Sequence, residues 1–342
     1  MQQTVLMVIP RFEPISTHRL WIRMVEPRDA AESQRQDSAV RTSTVEEMVS
    51  LDGVPSRDGW TQLAVDDAAT GDTVGGLALG LSYAGRSAEL GWRTNERSRN
   101  IGVATEAATA LAAWLFDVVG VTRIESRMHP DNRASARVAE RVGMVFEGRA
   151  RNSNWVGDDN TDELIFAMTP DDHAVWIGRG GRVADVHLVE ITSENLDDVE
   201  KLRTHRSQER FVATVAGSFA DAVVVGERDA RAVVPWLRAI EADGAIIGFV
   251  MCSEPTTQRP DLYLWRLLVD RLHQGRGAGG RTVDLVIEHA RSLGANSVHV
   301  SWVDGPGSPA GLYLGRGFLP TGEIDDGEVV ARLELAAPDP VT

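Results

Sequence analysis

This chain is written twice, and that limits its fold more than any other feature. Gly143 and Gly148 reappear as Gly317 and Gly322 at one offset of 174 residues. The loop Arg99-Asn100-Ile101-Gly102-Val103-Ala104 returns 175 residues later as Gln274-Gly275-Arg276-Gly277-Ala278-Gly279. Each loop follows a strand-like run, Ser87 to Thr94 or Leu262 to Val269, and precedes a helix-like stretch. A repeat half the chain long predicts two copies of one fold. With 342 residues in all, each copy can bury its own core.

The richer loop, Gln274 to Gly280, has the composition of an anion cradle. Glycines let successive backbone N–H groups converge, and a helix opening behind them adds partial positive charge, so a diphosphate is the expected guest. Other nucleotide folds compete for such a loop. Gly275-x-Gly277-x-x-Gly280 also fits a dinucleotide fingerprint, with Asp304 near the place of a ribose-binding acid. In that fold the loop follows the first strand directly, whereas about 90 residues of the second half come first here. Asp270 to His273 also intervene, and the weaker copy holds one glycine. A nucleotide-dependent oxidoreductase is therefore a remote alternative. A Walker loop is excluded, since no Gly-Lys-Ser/Thr occurs and Lys201 is the only lysine.

Composition narrows the function further. A net charge of −15 with no basic stretch argues against nucleic acid. An acidic surface solubilises, and it can also steer a cationic amine. The single cysteine, Cys252, rules out an internal disulfide, fits a reducing compartment and reads as a core residue. No apolar run approaches the roughly 18 residues of a membrane span and no basic leader begins the chain, so a cytoplasmic protein without membrane contact is expected. No metal site is read.

In order, residues 1–16 read as an extension in which Pro10 and Pro14 oppose regular structure. Strands are expected at Thr17 to Arg23, Trp60 to Val65, Val74 to Leu81, Ser87 to Thr94 and Thr122 to Met128. Helices are expected at Pro27 to Ala31, from the box-like Ser43 to Glu46, over Ala104 to Val119, and from an Asn132 cap through Arg141 to a glycine stop at Gly143. Strands Ala150 to Val156 and Thr161 to Met168 close the first half. The second half repeats this, with a strand at Asp185 to Ile191, helices from Ser193 and over Phe219 to Val225, and a hairpin of Pro235 to Ala242 with Ala245 to Cys252. Strands Leu262 to Val269 and Ser297 to Val303 flank a helix over Thr282 to Leu293, and a short helix spans Pro309 to Leu314. The organisation expected is an extension (1–16), a first domain (17–176), a linker (177–184) and a second domain (185–342).

At this point both halves resemble the GNAT superfamily of acetyl-CoA-dependent N-acyltransferases. Its Gln/Arg-x-x-Gly-x-Gly/Ala signature is matched by Gln274-x-x-Gly277-x-Gly279 and Arg99-x-x-Gly102-x-Ala104. The first half resembles the ribosomal-protein N-terminal acetyltransferase branch, on Thr17-x-Arg19-Leu20, Asp29-Ala30, Glu89-Leu90-Gly91, Ala104 to Ala107 and Asn132-x-x-Ser135. The second is similar to spermidine/diamine acetyltransferases, on Ser207 to Ala213, Gly248 to Met251, Leu264 to Arg266 and Leu312-Tyr313-x-x-Gly315-x-Gly317-Phe318.

The resemblance implies an α/β (α+β) fold, two tandem mixed, mostly antiparallel sheets flanked by helices. It implies acetyl-CoA as cosubstrate and direct attack of a small-molecule amine on the thioester in a ternary complex. The acyl-CoA would lie on Leu268 and Val269, on Gln274, Gly275, Arg276, Gly277, Ala278, Gly279 and Gly280, and in the first half on Arg93, Thr94, Arg99, Asn100, Ile101, Gly102, Val103, Ala104, Thr105 and Asn132. Tyr313 is expected as the acid for the leaving thiolate, or else as a packing aromatic. Ala139 stands at its counterpart in the first half, where Ser135 is the group expected near the sulfur and Glu89 the base. Helix capping by Asn132 and Ser135, and a surface charge at Glu89, are the plainer readings. Trp265 and Arg266 stand where the second half would carry its base, which leaves a water relayed to Asp261 or a residue from elsewhere. Chemistry is assigned chiefly to the second half, with a non-catalytic, acyl-CoA-binding first half as the alternative. Monomer and homodimer both remain open.

Overall fold

The computed structural model describes residues 9–26, 29, 54–56, 59–82, 86–156, 159–228, 233–305 and 307–335. The helices expected over Pro27 to Ala31 and from Ser43 lie outside these residues, apart from Asp29. The chain divides into two compact units, Met1–Ile177 and Gly178–Thr342.

The first unit is built on an eight-stranded sheet of order β1-β2-β3-β4-β5-β6-β8-β7. Its strands are β1 Ile15–Ser16, β2 Leu20–Met24, β3 Trp60–Asp67, β4 Thr73–Ser82, β5 Ser87–Thr94, β6 Arg123–Met128, β7 Val145–Val156 and β8 Asp159–Met168. Every pairing is antiparallel except β5 with β6, which are hydrogen-bonded as partners only over Ser87–Glu89 and Arg123–Glu125. Beyond Glu89 the two strands separate. Helix α1 (Val103–Trp114) runs into a π turn, Leu115–Val119. Helix α2 (Arg133–Val142) ends on Gly143, whose φ of 102° completes the C-cap. Alternating residues of the strands, among them Leu77, Leu79, Ala88, Leu90 and Ile124, bury one face with Ala107, Ala108 and Leu111 of α1.

Two expectations for this unit need revision. The extension is not wholly irregular, because Ile9 and Phe12 join the core, Phe12 edge-on to Trp114 at 5.0 Å, and Ile15–Ser16 pair with β2. A helix also follows β8, α3 (Pro170–Gly178), where no element was expected. Its entry is fixed by Asp172, which accepts hydrogen bonds from the N–H and hydroxyl of Thr169.

The second unit holds a seven-stranded sheet of order β14-β15-β13-β12-β11-β10-β9. These are β9 Val186–Val189, β10 Val234–Ala242, β11 Ala245–Glu254, β12 Leu262–Val269, β13 Ser297–Val303, β14 Leu319–Asp325 and β15 Glu328–Glu334. Again one pair is parallel, β12 with β13, and again it is short, Leu262–Leu264 with Val298–Val300. Helices α4 (Leu196–Lys201) and α5 (Val215–Arg228) precede the sheet's centre, α6 (Ala278–Ser292) follows β12, and α7 (Ala310–Leu314) follows β13. The closing hairpin β14–β15 was not foreseen.

Register explains why the two repeat offsets differ. In β11–β12 pairing, Met251 faces Arg266 and Cys252 faces Leu264, so Trp265 is an extra residue, a β-bulge. The first-unit counterpart, β4–β5, pairs without interruption from Gly75–Thr94 to Ser82–Ser87. Core residues before the bulge, Leu90 and Leu264, are 174 apart, and those after it, Trp92 and Leu267, are 175 apart. The larger offset persists through the loop, from Gly102 to Gly277. It returns to 174 by Ile124 and Val298, so one residue is lost between helix and strand.

Candidate active site

In the second unit the separation of β12 from β13 opens a cavity of about 400 Å³. Its walls are Leu264, Trp265, Leu267 and Val269 of β12, Ser301 of β13, and Leu312 and Tyr313 of α7; Gln274, Gly275, Gly277, Ala278, Gly279 and Gly280 close one end. Gly275 and Gly277 carry φ of 76° and 89°, left-handed values that an L side chain resists. They turn the chain so sharply that α6 begins at Ala278, not at the expected Thr282. The reason is local: Gly279 and Gly280 are poor helix formers in sequence, yet here they form its first turn. The first backbone acceptance inside the helix is by Gly277 O from Arg281 N–H. The N–H groups of Ala278, Gly279 and Gly280 thus precede the helical ladder and are donors for an anion.

Several side chains hold the loop in place. Asp270, buried at the start of the loop, accepts from Leu272 N–H and from Arg203 N–H, both at 2.9 Å. That second bond draws in the segment carrying Thr204, Gln208, Phe211 and Val212, which also line the cavity. Gln274 and Gln208 exchange side-chain amide hydrogen bonds at 2.7 and 2.9 Å, and Gln274 donates to Val269 O at 2.9 Å. The role of the Gln274 side chain is thus to brace the loop. The Arg276 guanidinium is not part of the lining: it donates to Gly181 O and pairs with Asp243. Its backbone alone belongs to the loop. Leu268 needs the same correction. Strand alternation turns it away from Leu267 and Val269, into a second cluster with Phe249 and Met251.

No Arg, Lys, Asp or Glu lines this cavity among the described residues; its titratable members are His273 and Tyr313. Burial pushes the His273 imidazole down. Tyr313 is 6% exposed, stacked on Trp302 and edge-on to Phe318, each at 5.8 Å between centroids. Burial raises its phenol, with Cys252 and Glu328 adding to the effect. Cys252 is fully buried, in keeping with a core role.

The strand position assigned above to Trp265 and Arg266, where the resemblance would put a base, must be re-sited. Glu89 faces Glu125 across β5–β6, and Tyr263 faces His299 across β12–β13, so Tyr263 is the structural counterpart of Glu89. The bulge at Trp265 hides this from the sequence. Asp261 does not border the cavity; it accepts from Ser297 Oγ at 2.7 Å.

In the first unit the loop repeats the backbone pattern in a plainer form. Asn100 (φ 61°) and Gly102 (φ 90°) take the left-handed turns, and α1 starts at Val103. Val103 is buried, Ala104 and Thr105 form the first turn, Ile101 is exposed, and Glu106 N–H is the first to reach Gly102 O. Arg99 is exposed, without a side-chain partner among the described residues. Arg93 extends along Gly76, and Thr94 pairs with Gly75. Thr17 and Arg19, quoted above only as motif letters, act on this loop. Both bond Glu106, at 2.6 Å from Thr17 Oγ1 and 2.8 Å from Arg19 Nε, and Arg19 Nη1 donates to Ile101 O at 3.0 Å. Burial acts against the Glu106 carboxylate, but these bonds hold it below the ordinary range.

Glu89 lies half-buried on the sheet face opposite Ala88 and Leu90. Burial raises its carboxyl, Arg127 opposes this, and Glu125 and Glu163 reinforce it. Asn132 caps α2, its Oδ1 accepting from Ser135 N–H at 3.1 Å, so its carbonyl oxygen is committed while its amide N–H groups have no partner among the described residues. Ser135 Oγ has no partner among the described residues. Ala139 is fully buried.

A mixed sheet that parts between its two parallel strands, with a glycine turn and a helix N-terminus at the opening, is the arrangement that the resemblance to acyl-CoA-dependent acyltransferases implies, and it is present here twice. Residues 19–145 match the family described as Acetyltransferase (GNAT) domain and residues 196–318 match Acetyltransferase (GNAT) family. The chain belongs to the GNAT acetyltransferases and carries two of their domains in tandem.

The chain is 34% identical over 80 residues to the uncharacterized N-acetyltransferase YnaD of Bacillus subtilis, covering 23% of this chain and 47% of that one. It is 29% identical over 111 residues to YjdG of the same organism, covering 32% and 64%. The chain therefore spans about half to two thirds of these curated relatives. A crystal structure of a GNAT-family acetyltransferase from Bacillus anthracis aligns with 24% identity and a TM-score of 0.40, over 46% of this chain and 99% of that one. Among the described residues no helix is long and apolar enough to cross a membrane, and no cluster of His, Cys, Asp or Glu could hold a metal.

Proposed function

We propose that the protein transfers an acetyl group from acetyl-CoA to the amine of a small molecule, and that the C-terminal domain is the principal catalyst. One observation carries this reading: Tyr313, buried without a hydrogen-bond partner among the described residues, lines the same cavity as the open N–H groups of α6. The loop amides of Gly275 to Gly280 hold the diphosphate. The backbone of β12 beyond Leu264, unpaired by β13, receives the pantetheine amides. Burial keeps Tyr313 protonated at neutral pH, so it can give its proton to the departing thiolate. The aliphatic and aromatic part of the lining, Phe211, Leu264, Trp265, Leu267 and Leu312, limits the water that could hydrolyse the thioester.

A second reading has a specific observation in its favour. Ala139 is buried where the C-terminal half has Tyr313, so the N-terminal domain lacks that phenol and could bind acyl-CoA without turnover, as a regulatory or scaffolding module. Glu89, raised by burial beside Glu125 and Glu163, supports instead a working base there, with Ser135 near the sulfur and Arg99 on a phosphate.

Acetyl-CoA-dependent thiol release across an amine panel tests both readings. Tyr313→Phe, which keeps the ring packing, is expected to lower kcat by about 10²-fold, the scale of a lost general acid, with acetyl-CoA affinity unchanged. Ser135→Ala and Glu89→Gln are expected to leave that turnover intact. If they abolish it and Tyr313→Phe does not, the N-terminal domain is the catalyst and peptide N-termini become the substrates to test.

A further inference from the structure

Among the described residues the acyl-donor cavity has no carboxylate, and its imidazole, His273, lies on the loop against Arg276 Nη1 at 3.2 Å, so within the acetyltransferase reading a carboxylate base for the amine has to come from beyond the cavity. A second cavity, of about 510 Å³, shares two wall residues with it, Trp265 and Ser301. This one is ionic. Asp221 comes from α5, Arg259 from the approach to β12, Tyr263 and Arg266 from β12, Asp325 from β14, Asp326 from the hairpin turn and Glu328 from β15. Four carboxylates therefore face two guanidinium groups. Arg266 is committed to Asp221 at 3.2 Å and to Trp265 O at 2.9 Å, which leaves the Glu328 end of the cavity with excess negative charge.

At the shared wall, Ser301 Oγ donates to the Glu328 carboxylate. Tyr263, the counterpart of Glu89, lies beside the same hydroxyl. On the donor side, Tyr313 is buried, has no hydrogen-bond partner among the described residues and lies within electrostatic reach of Glu328. An acid without a partner, a hydroxyl in the dividing wall and a carboxylate behind it therefore fall in sequence.

We propose that the second cavity receives the acceptor as an alkylammonium ion, and that Glu328 takes its proton through the Ser301 hydroxyl. This rests on the C-terminal acetyltransferase reading. The ammonium passes a proton to Ser301 Oγ as Ser301 passes its own to Glu328. The neutral amine attacks the thioester carbonyl carbon, the C–N bond forms and the C–S bond breaks. Tyr313 protonates the departing thiolate and regains a proton from the acylated nitrogen, so the net release is one proton, from Glu328 to water. Ser301 and Glu328 were not legible as a site in the sequence, because they lie on strands joined only by the fold.

The test is steady-state acetylation of a simple alkylamine by the full chain, with acetyl-CoA binding measured separately by calorimetry. Glu328→Gln is expected to lower kcat at neutral pH by about 10²- to 10⁴-fold, with acetyl-CoA affinity unchanged. Its rate should recover as the pH approaches the pKa of the free amine, because the acceptor then arrives already neutral. Ser301→Ala should shift the profile in the same direction by less, and Ser301→Thr should restore the wild-type profile. A Glu328→Gln enzyme with wild-type kcat and pH profile, or one altered in acceptor KM alone, overturns the relay. Absence of wild-type turnover with every amine removes the acetyltransferase reading itself, and loss of turnover with Glu89→Gln but not Tyr313→Phe removes its C-terminal assignment.

Discussion

Two glycines two residues apart in the C-terminal loop should respond to alanine with opposite signs. Gly277 caps α6 at φ 89°, and a Cβ there would lie 3.2 Å from Arg182 Nε. The left-handed backbone costs an L residue about 1–2 kcal/mol, and the flexible Arg182 can move aside, so the conformational term dominates. Gly279 is in ordinary helical geometry, and its added Cβ would meet Val269 and Leu312 at 3.7 and 3.9 Å, normal contact distances. There, alanine in place of glycine should stabilise the helix by about 0.5–1 kcal/mol. The gap between the two variants is thus about 1.5–3 kcal/mol, which amounts to roughly 4–10 °C in melting temperature at about 3 °C per kcal/mol for a domain of this size. Calorimetric melting and acetyl-CoA titration of Gly277→Ala and Gly279→Ala give the comparison. Affinity should fall for Gly277→Ala, whose turn aims the amides, and change little for Gly279→Ala, since Ala104 holds that place in the other loop. A Gly277→Ala protein as stable as wild type, or a Gly279→Ala protein less stable than it, would refute the account of the loop.

Two further outcomes concern the N-terminal domain. Because burial raises Glu89 in the folded state, the native protein binds its proton more tightly than the unfolded chain does, and stability declines as pH rises from the usual carboxylate range through the raised value. Glu89→Gln should remove that decline and leave the domain more stable at neutral pH, as urea titrations at pH 4 and pH 7 would reveal; an unchanged pH slope counts against a buried carboxylate. Glu106 has the opposite sign. Its depressed value means stability present above the usual carboxylate range and lost as pH falls through the folded one. Arg19→Ala should therefore flatten acid sensitivity in that window, and hydrogen exchange at Gly102 to Glu106 should accelerate.

Much of the fold was written in local patterns. Strands Ser87–Thr94, Leu262–Val269 and Ser297–Val303 stand where alternation and flanking loops put them, and Asn132 and Gly143 mark both ends of α2. Features that depend on pairing were not legible. The extra residue at Trp265 shows only when β11 lies alongside β12, and without it Trp265 and Arg266 seem to hold the place that belongs to Tyr263. Helix α6 starts early because two glycines in its first turn carry no helical signal of their own. The loop's side chains misled for a related reason: Gln274 and Arg276 sit in an anion-binding motif, but their partners, Gln208 and Asp243, come from distant segments.

The one-residue bulge at Trp265 also bears on how such a protein can diversify. A residue added to a strand normally turns every following side chain to the wrong face. Here the bulge absorbs the addition, so Leu262 and Leu264 keep the core assignments of Ala88 and Leu90 while Leu267 keeps that of Trp92. The two ends of β12 are thereby uncoupled. Under the proposed function, the end near Tyr263 can change the residues it offers to an acceptor, and the end that leads into Gly275 and Gly277 can stay fixed on the acyl donor. In a duplicated chain this lets one copy change one end of the strand while both keep the same left-handed turn before the helix.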